Sequence, residues 1–231
     1  VRMALYAIGD LHLSPNNSKP MDIFGWENHK QRVFDYWTQV VKEEDVVIIC
    51  GDTSWAMRFE EVIENLDEIN ALPGKKIILK GNHDYWWQSL SKMKKVYPEI
   101  FFLQNNCYVD DNYVIFGTRG WIVPGSSGFS ESDNKIFERE KARLKLSFDA
   151  FVPDEKPRLR IVAMHYPPID ESGNETDITK IIQDHQIDHM VYGHLHGPES
   201  FKNLYQGKKD QTLYHLVSAD YLEFTLKKIS D

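Results

Sequence analysis

Cysteine is scarce: Cys50 and Cys107 are the only two in 231 residues, each inside its own apolar, strand-like run. Two are too few for a disulfide framework or a thiolate cluster, so both are expected as free thiols in the core. No stretch approaches the ~20 apolar residues that a membrane span requires, so no membrane segment is expected. Val1 to Asp10 run straight into an apolar segment without the long hydrophobic region and small-residue cleavage site of a secretory leader, which reads as cytoplasmic. No Gly/Ser-rich or charge-block linker divides the chain and no internal repeat is visible, so residues 1–231 are read as a single domain. An excess of basic charge is also missing, with 27 Lys and Arg against 35 Asp and Glu and a net charge of -8. That balance disfavours a duplex nucleic acid partner, whose phosphates call for a basic face. It does not exclude a small anionic substrate, because bound metal ions would invert the local field.

What is present is an ordered alternation. Ala4 to Ile8, Val46 to Cys50 and Ile77 to Leu79 are short apolar runs with the character of buried strands. Each is followed by a helical pattern: Trp26, Val33, Phe34, Trp37, Val40 and Val41 after the first, Val62, Leu66 and Ile69 after the second, and Ser89 to Lys95 after the third. Three β-then-α units with near-continuous apolar strands predict a parallel sheet covered by helices on both faces. Beyond residue 100 short strands crowd together, at Ile100 to Leu103, Tyr108-Val109, Tyr113 to Phe116, Arg160 to Met164 and Met190 to Tyr192, with one helix expected over Asp133 to Phe151. The tail, Leu213 to Val217 and Tyr221 to Ile229, alternates as a closing antiparallel hairpin would. The fold class expected is α/β, with two packed mixed β-sheets flanked by helices. Residues 15–30 and 121–151 are candidate cap-like elements over a site.

The polar residues fall at strand ends. Asp10-Leu11-His12, Gly51-Asp52, Gly81-Asn82-His83-Asp84, His165 and Gly193-His194-Leu195-His196 each directly follow an apolar run. Singly, each has an ordinary explanation as a turn, a cap or a surface histidine. Together they put Asp, Asn or His at five strand ends and gather there five of the nine histidines. In α/β sheets the carboxyl edge is where loops from distant segments converge, so these groups can meet in one crevice. Carboxylate, amide oxygen and imidazole without thiolate suit Mn²⁺, Fe²⁺ or Zn²⁺. Seven candidate ligands, Asp10, His12, Asp52, Asn82, His165, His194 and His196, exceed what one ion needs. Two ions about 3.5–4 Å apart are the arrangement used to polarise a phosphoryl oxygen and to generate a hydroxide nucleophile. His29, His185, His189 and His215 match no motif and are read as structural or solvent-facing.

These motifs, in this order from Asp10 to His196, resemble those of the calcineurin-like metallophosphoesterase superfamily. The stretch from Lys19-Pro20-Met21-Asp22 through Gly117-Thr118-Arg119-Gly120-Trp121 looks like a group of small stand-alone members whose substrate is poorly defined. The resemblance implies a four-layer αββα sandwich. It also implies one ion on Asp10, His12 and His196, a second on Asn82, His165 and His194, and Asp52 bridging them. His83 would serve as general acid or as donor to the phosphoryl oxygens, with in-line attack by a metal-bridging hydroxide on a phosphomonoester or phosphodiester. One departure bears on specificity: Gly51-Asp52 is followed by Thr53-Ser54-Trp55, so Trp55 stands where protein phosphatases of the superfamily carry a second Asp that orients the catalytic histidine. Asp84 is the remaining candidate for that orienting role.

The expected partner is a small phosphorylated substrate, and the sequence leaves oligomeric state open. Trp86, Trp121 and Tyr166 could wall a substrate pocket, and Arg119 could bind a substrate phosphate through its fork of donors. The competing readings are a nuclease acting on short oligonucleotides and a non-catalytic metal-binding scaffold. The complete ligand set argues against the scaffold, and the charge balance argues against the nuclease.

Overall fold

A computed structural model describes residues 3–231. Val1 and Arg2, which precede the first expected strand, lie outside the described residues. The three expected units form as β1 (Leu5–Ile8), α1 (His29–Val40), β2 (Val46–Ile49), α2 (Phe59–Asn70), β3 (Lys75–Leu79), α3 (Leu90–Val96) and β4 (Phe101–Leu103). These strands pair in parallel in the order β1-β2-β3-β4. The second sheet is built from β5 (Tyr108–Val109), β6 (Tyr113–Thr118), β7 (Leu159–Met164), β8 (His189–Tyr192), β9 (Gly207–Lys209) and β10 (Thr212–Leu216), ordered β5-β6-β7-β8-β10-β9. Its helices are α4 (Glu131–Asp149), α5 (Asp177–Asp184) and the single turn α6 (Gly197–Ser200). No helix among the described residues is long and apolar enough to cross a membrane.

Three apolar layers explain why the strands are apolar on both sides. Alternate residues of the first sheet, Ile8, Val47, Ile49 and Ile78, pack outward against Val33 and Trp37 of α1, Val62 and Leu66 of α2 and Met93 of α3. Their neighbours Leu5, Ala7, Ile48, Cys50 and Ile77 face inward onto Ile115, Ile161, Ala163 and Val191 of the second sheet. The far side of that sheet, with Phe116, Val162, Met164 and Met190, is covered by Phe137, Leu144 and Phe148 of α4 and by Ile178 and Ile182 of α5. The order is therefore helix, sheet, sheet, helix. The expectation of helices on both faces of one sheet is corrected: the β1–β4 sheet carries helices on one face and meets the second sheet with the other.

The expected C-terminal hairpin does not form. β10 joins the second sheet in parallel with β8, while β11 (Lys227–Ser230) crosses to pair antiparallel with β1. The tail thus ties the two sheets together. A bridge between Gly9 and Ser218, with the Gly9 amide donating to Val217 O at 2.8 Å and the Ala219 amide to Gly9 O at 3.0 Å, joins them again at the carboxyl ends of β1 and β10. Cys50 is buried, Cys107 is half-buried, and both are free.

His189 of β8 and His215 of β10 sit 3.2 Å apart, Nδ1 to Nε2, so one ring must accept the other's proton. Burial, then the nearby His189 and Lys227, push His215 down to about 4, and burial also lowers His189. A folded-state value below the ordinary one means the unfolded chain takes the proton first as pH falls. The stabilisation is complete above about pH 6.5 and is lost progressively toward pH 4. Replacing His215 with Leu should therefore flatten the decline in Tm between pH 7 and pH 5 by about 3 °C or more, read by thermal melts of both proteins. Parallel curves would show that the pair contributes nothing to the acid response.

Candidate metal centre

Every parallel strand that ends in a polar motif delivers it to one place. Asp10 and His12 follow β1, Asp52 follows β2, Asn82 and His83 follow β3, His165 follows β7, and His194 and His196 follow β8. Four of these residues take left-handed backbone, with φ of 59° at Asp10, 44° at His12, 52° at Asp52 and 71° at His194. That conformation is unusual outside glycine and turns each side chain sharply off the strand axis. The amides of these turns are held by one another's loops. Asp10 donates to Gly51 O at 2.9 Å, His12 to Asp52 O at 2.9 Å, and His194 to Asp10 Oδ2 at 3.1 Å. Close approach also demands glycine at two positions: a Cβ on Gly81 would fall on Asp52 Oδ1, and one on Gly193 would fall on Asp10 Oδ2.

The seven sequence-derived ligands converge. Asp10, His12 and His196 form one group of donors close enough to hold a cation, and Asp10, Asp52 and His165 form another. Asp52 Oδ2 stands 3.7 Å from His12 Nε2 and 3.3 Å from His165 Nε2, between the two halves. His165 Nε2 is 2.8 Å from Asn82 Oδ1 and 3.3 Å from His194 Nδ1. His196 Nε2 is 3.3 Å from Asp10 Oδ1.

The donor set fits divalent metal on the test of its outward nitrogens. His165 Nδ1 donates to Cys50 O at 2.8 Å, and His196 Nδ1 donates to Asp220 Oδ1 at 3.0 Å. Each bond puts a proton on Nδ1 and makes the inward Nε2 the nitrogen that a cation would take in place of a proton, the usual arrangement behind a metal-bound histidine. Charge agrees. Burial opposes ionisation of Asp10 and Asp52, yet the surrounding imidazoles hold both carboxyls below their usual range. Burial pushes His12 and His194 down to about 4, which keeps them unprotonated. Burial would do the same to His165 and His196, but the carboxylates outweigh it and raise them to about 9 and about 10. Protons occupy the cluster where cations would stand.

Two carboxylates that sequence reasoning assigned otherwise, or missed, hold this geometry. Asp84 does not orient His83. It is fully buried and accepts five N–H donors: Asp52 N at 2.8 Å and Gly81 N at 2.7 Å on Oδ2, and Thr53 N at 3.0 Å, Ser54 N at 3.3 Å and Trp86 Nε1 at 2.9 Å on Oδ1. It clamps the loop after β2 to the loop after β3. Burial and the Asp52 charge push its carboxyl up to about 6, against the pull of those donors. Asp220 was not singled out, although it too lies just past an apolar strand, β10. Its Oδ2 accepts the Gly197 amide at 3.0 Å while its Oδ1 fixes His196.

The four residues expected at the substrate differ in placement. Tyr166 packs on His194 with ring centroids 4.2 Å apart and lines a cavity of about 380 Å³ with His194, Ile122 and Val123. Trp121 stands behind Tyr166 at 5.2 Å and donates its indole N–H to Asp133. Trp86 is corrected: it has no exposed surface, because its indole N–H reaches Asp84, and it walls no pocket. The Arg119 guanidinium is paired with buried Glu140 at 3.1 Å and lies over Trp121, whereas its backbone carbonyl accepts the amides of His165 and Tyr166. Of residues 121–151, only Ile122 to Ser127 reach this cavity; α4 lies along the sheet instead. A second cleft of about 430 Å³ is lined by His12, Asp52, His83, His194 and His196. Trp55 borders it, stacked on His12 at 4.6 Å and tilted against His83 at 4.7 Å. The His83 amide donates to Asp52 Oδ1 at 2.9 Å. His29, expected to be structural, donates from Nε2 to Leu11 O at 2.7 Å and so steadies the loop between Asp10 and His12.

Changing Asp84 to Asn turns an amide NH₂ toward at least two buried N–H groups and leaves them unsatisfied, at about 1–3 kcal/mol each. Tm of Asp84→Asn should fall by about 3–10 °C and divalent-metal affinity should drop with it, measured by calorimetry of the folded variant. A variant that melts within about 1 °C of the parent with unchanged affinity would show that the clamp is dispensable.

Comparison with known proteins agrees with this geometry. No functionally curated protein matches the sequence. The fold is similar to the crystal structure of a protein of unknown function from Aquifex aeolicus, at 17% identity and a TM-score of 0.53, covering 98% of this chain and 96% of that one. The sequence pattern of the family described as calcineurin-like phosphoesterase matches residues 3–198. The chain belongs to the calcineurin-like phosphoesterase family and is a hydrolase of phosphoric ester bonds.

Proposed function

We propose that the enzyme works with two divalent ions, Mn, Fe or Zn, and cleaves a phosphomonoester or phosphodiester of a small molecule. The observation that carries this reading is the set of seven donors gathered around Asp52, two of whose imidazoles have their outward nitrogens fixed by Cys50 O and Asp220. Asp10, His12 and His196 would hold one ion, and Asn82, His165 and His194 the other. Asp52, with Oδ2 between His12 and His165, would touch both. Bound there, the ions would polarise the phosphoryl oxygens and supply a hydroxide nucleophile near neutral pH.

The protein's own groups do the rest. The Asp52 carboxylate, which accepts the His83 amide while the Asp52 backbone amide is held by Asp84, keeps the donors in place without rearrangement. The His83 imidazole borders the same cleft as His12 and Asp52 and is free to donate to a phosphoryl oxygen or to the leaving oxygen. Trp55 packs against both His12 and His83, a fixed wall in the position of the protein-phosphatase Asp. The leaving oxygen departs with a proton, and attack in line requires no covalent enzyme intermediate.

Metal-stripped protein reloaded with Mn²⁺, Fe²⁺ or Zn²⁺ should hydrolyse bis(p-nitrophenyl) phosphate or p-nitrophenyl phosphate. His83→Ala should bind metal normally yet lose about 10²–10⁴ in kcat. Full activity in His83→Ala would remove that residue from the mechanism, and metal-independent turnover would overturn the reading as a whole.

A further inference from the structure

The stretch Lys19-Pro20-Met21-Asp22, marked in the sequence, has no part in the metal centre, yet it borders it. Residues Met21–Phe24 form a single 3-10 turn closed by Gly25, whose φ of 80° and amide bond to Asp22 O turn the chain back toward Trp26. Met21 and Phe24 of this turn, with Trp55, line the cleft that holds the metal donors. The same three line a second space of about 420 Å³, completed by Pro20, Ile23 and Lys19. The two spaces therefore adjoin across these three side chains, and the outer one forms an apolar groove along the turn.

That groove is apolar and its rim is uncovered. Ile23 is 79% exposed and Phe24 66% exposed, and Met57, two residues beyond Trp55, is 54% exposed. Large aliphatic and aromatic side chains left in water at the mouth of a site mark a surface that something apolar covers. Its polar groups are few. Lys19 Nζ lies over the Trp55 ring at 5.5 Å, and Ser18 is the other polar residue of the outer space. A hydroxyl-rich or base-like group would leave its own donors and acceptors unpaired there. The tryptophan rings are also committed, whereas the Phe24 ring is largely exposed. Trp55 stacks on His12, and Trp26 makes edge contacts with His12, His29, His196 and Phe224, so the free walls are the flanks of Pro20, Met21, Ile23 and Phe24. Irregular, largely aliphatic walls opening to solvent suit a flexible chain better than a stacked ring.

We infer that the substrate is a phosphoester bearing an aliphatic chain, which lies in the groove between the Met21–Phe24 turn and Trp55 while its phosphate sits among the metal donors. This rests on the phosphohydrolase reading and narrows its substrate class. The occupant follows from adjacency: a chain attached to phosphorus at the donor cluster that passes Met21, Phe24 and Trp55 meets this apolar groove.

Binding of methylphosphonate, octylphosphonate and phenylphosphonate to the Mn²⁺-loaded protein, measured by calorimetry, tests it. All three present the same head group, so the ratio of dissociation constants reports the groove alone. Octylphosphonate should bind about thirtyfold or more tighter than methylphosphonate, a modest part of what burying seven methylenes can supply, and phenylphosphonate should gain far less. In Ile23→Ser and Phe24→Ser, both exposed and so tolerant of change, the octyl-to-methyl ratio should fall to about threefold or below. Equal constants for octyl and methyl, an equal gain for phenyl, or a ratio unchanged in both variants would each overturn the proposal. Absence of turnover of either p-nitrophenyl ester together with absence of binding of all three, methylphosphonate included, would show instead that the phosphohydrolase reading had failed, and the proposal with it.

Discussion

Two carboxylates, an amide oxygen and four imidazoles buried within a few ångströms of one another form the constraint on which the rest of this structure depends. Buried charge is tolerated only when paired. In the protein alone the pairing is incomplete: Asp10 and Asp52 stay ionised and draw protons onto His165 and His196. Cations placed among these donors neutralise the carboxylates and take up the free imidazole lone pairs together, which is why the donor set makes chemical sense as a metal centre and little sense as a structural core.

The fold is arranged to make that cluster affordable. Parallel strands from two sheets end at one edge, and the sheets are locked there by the Gly9–Ser218 bridge and by the bond from His165 to Cys50 O. Left-handed turns aim Asp10, His12, Asp52 and His194 into the gap, and Gly81 and Gly193 let carboxylate oxygens approach backbone directly. Behind them Asp84 gathers five donors from two loops, and Asp220 fixes a ligand from the tail. The metal donors are thus positioned by carboxylates that themselves need not touch metal.

What could be read from sequence follows from the range of the interactions. The convergence of the seven candidate donors was legible because each directly follows an apolar strand, a purely local pattern. The αββα layering was implied by the family resemblance, because strands apolar on both sides show that both faces are covered but not that one of them meets a second sheet. Asp84 stands beside His83 in sequence, but three of its five partners, the amides of Asp52, Thr53 and Ser54, come from a loop distant in sequence, so its clamp was invisible and an orienting role looked equally good. Trp86 looked like a pocket wall because aromatic residues near ligands often are; its indole was needed by Asp84. Arg119 was read as a phosphate contact because its partner Glu140 meets it only once α4 docks. The tail was read as a hairpin because alternation specifies a half-buried strand but not its partner, and β10 and β11 in fact join different sheets. Asp220 was lost with that misreading. The short α5, whose N-cap Thr176 accepts from Ile178 N and donates to Pro168 O, was overlooked among polar residues.

The central claim is that these seven side chains hold two ions in one site, with Asp52 common to both. Metal analysis of protein saturated with Mn²⁺ or Zn²⁺, beside Asp52→Asn, tests it most directly. The account predicts about two ions per chain for the parent and a weakened, substoichiometric loading for the variant. Absence of stoichiometric metal in the parent, or full loading with two tightly held ions in Asp52→Asn, would contradict it.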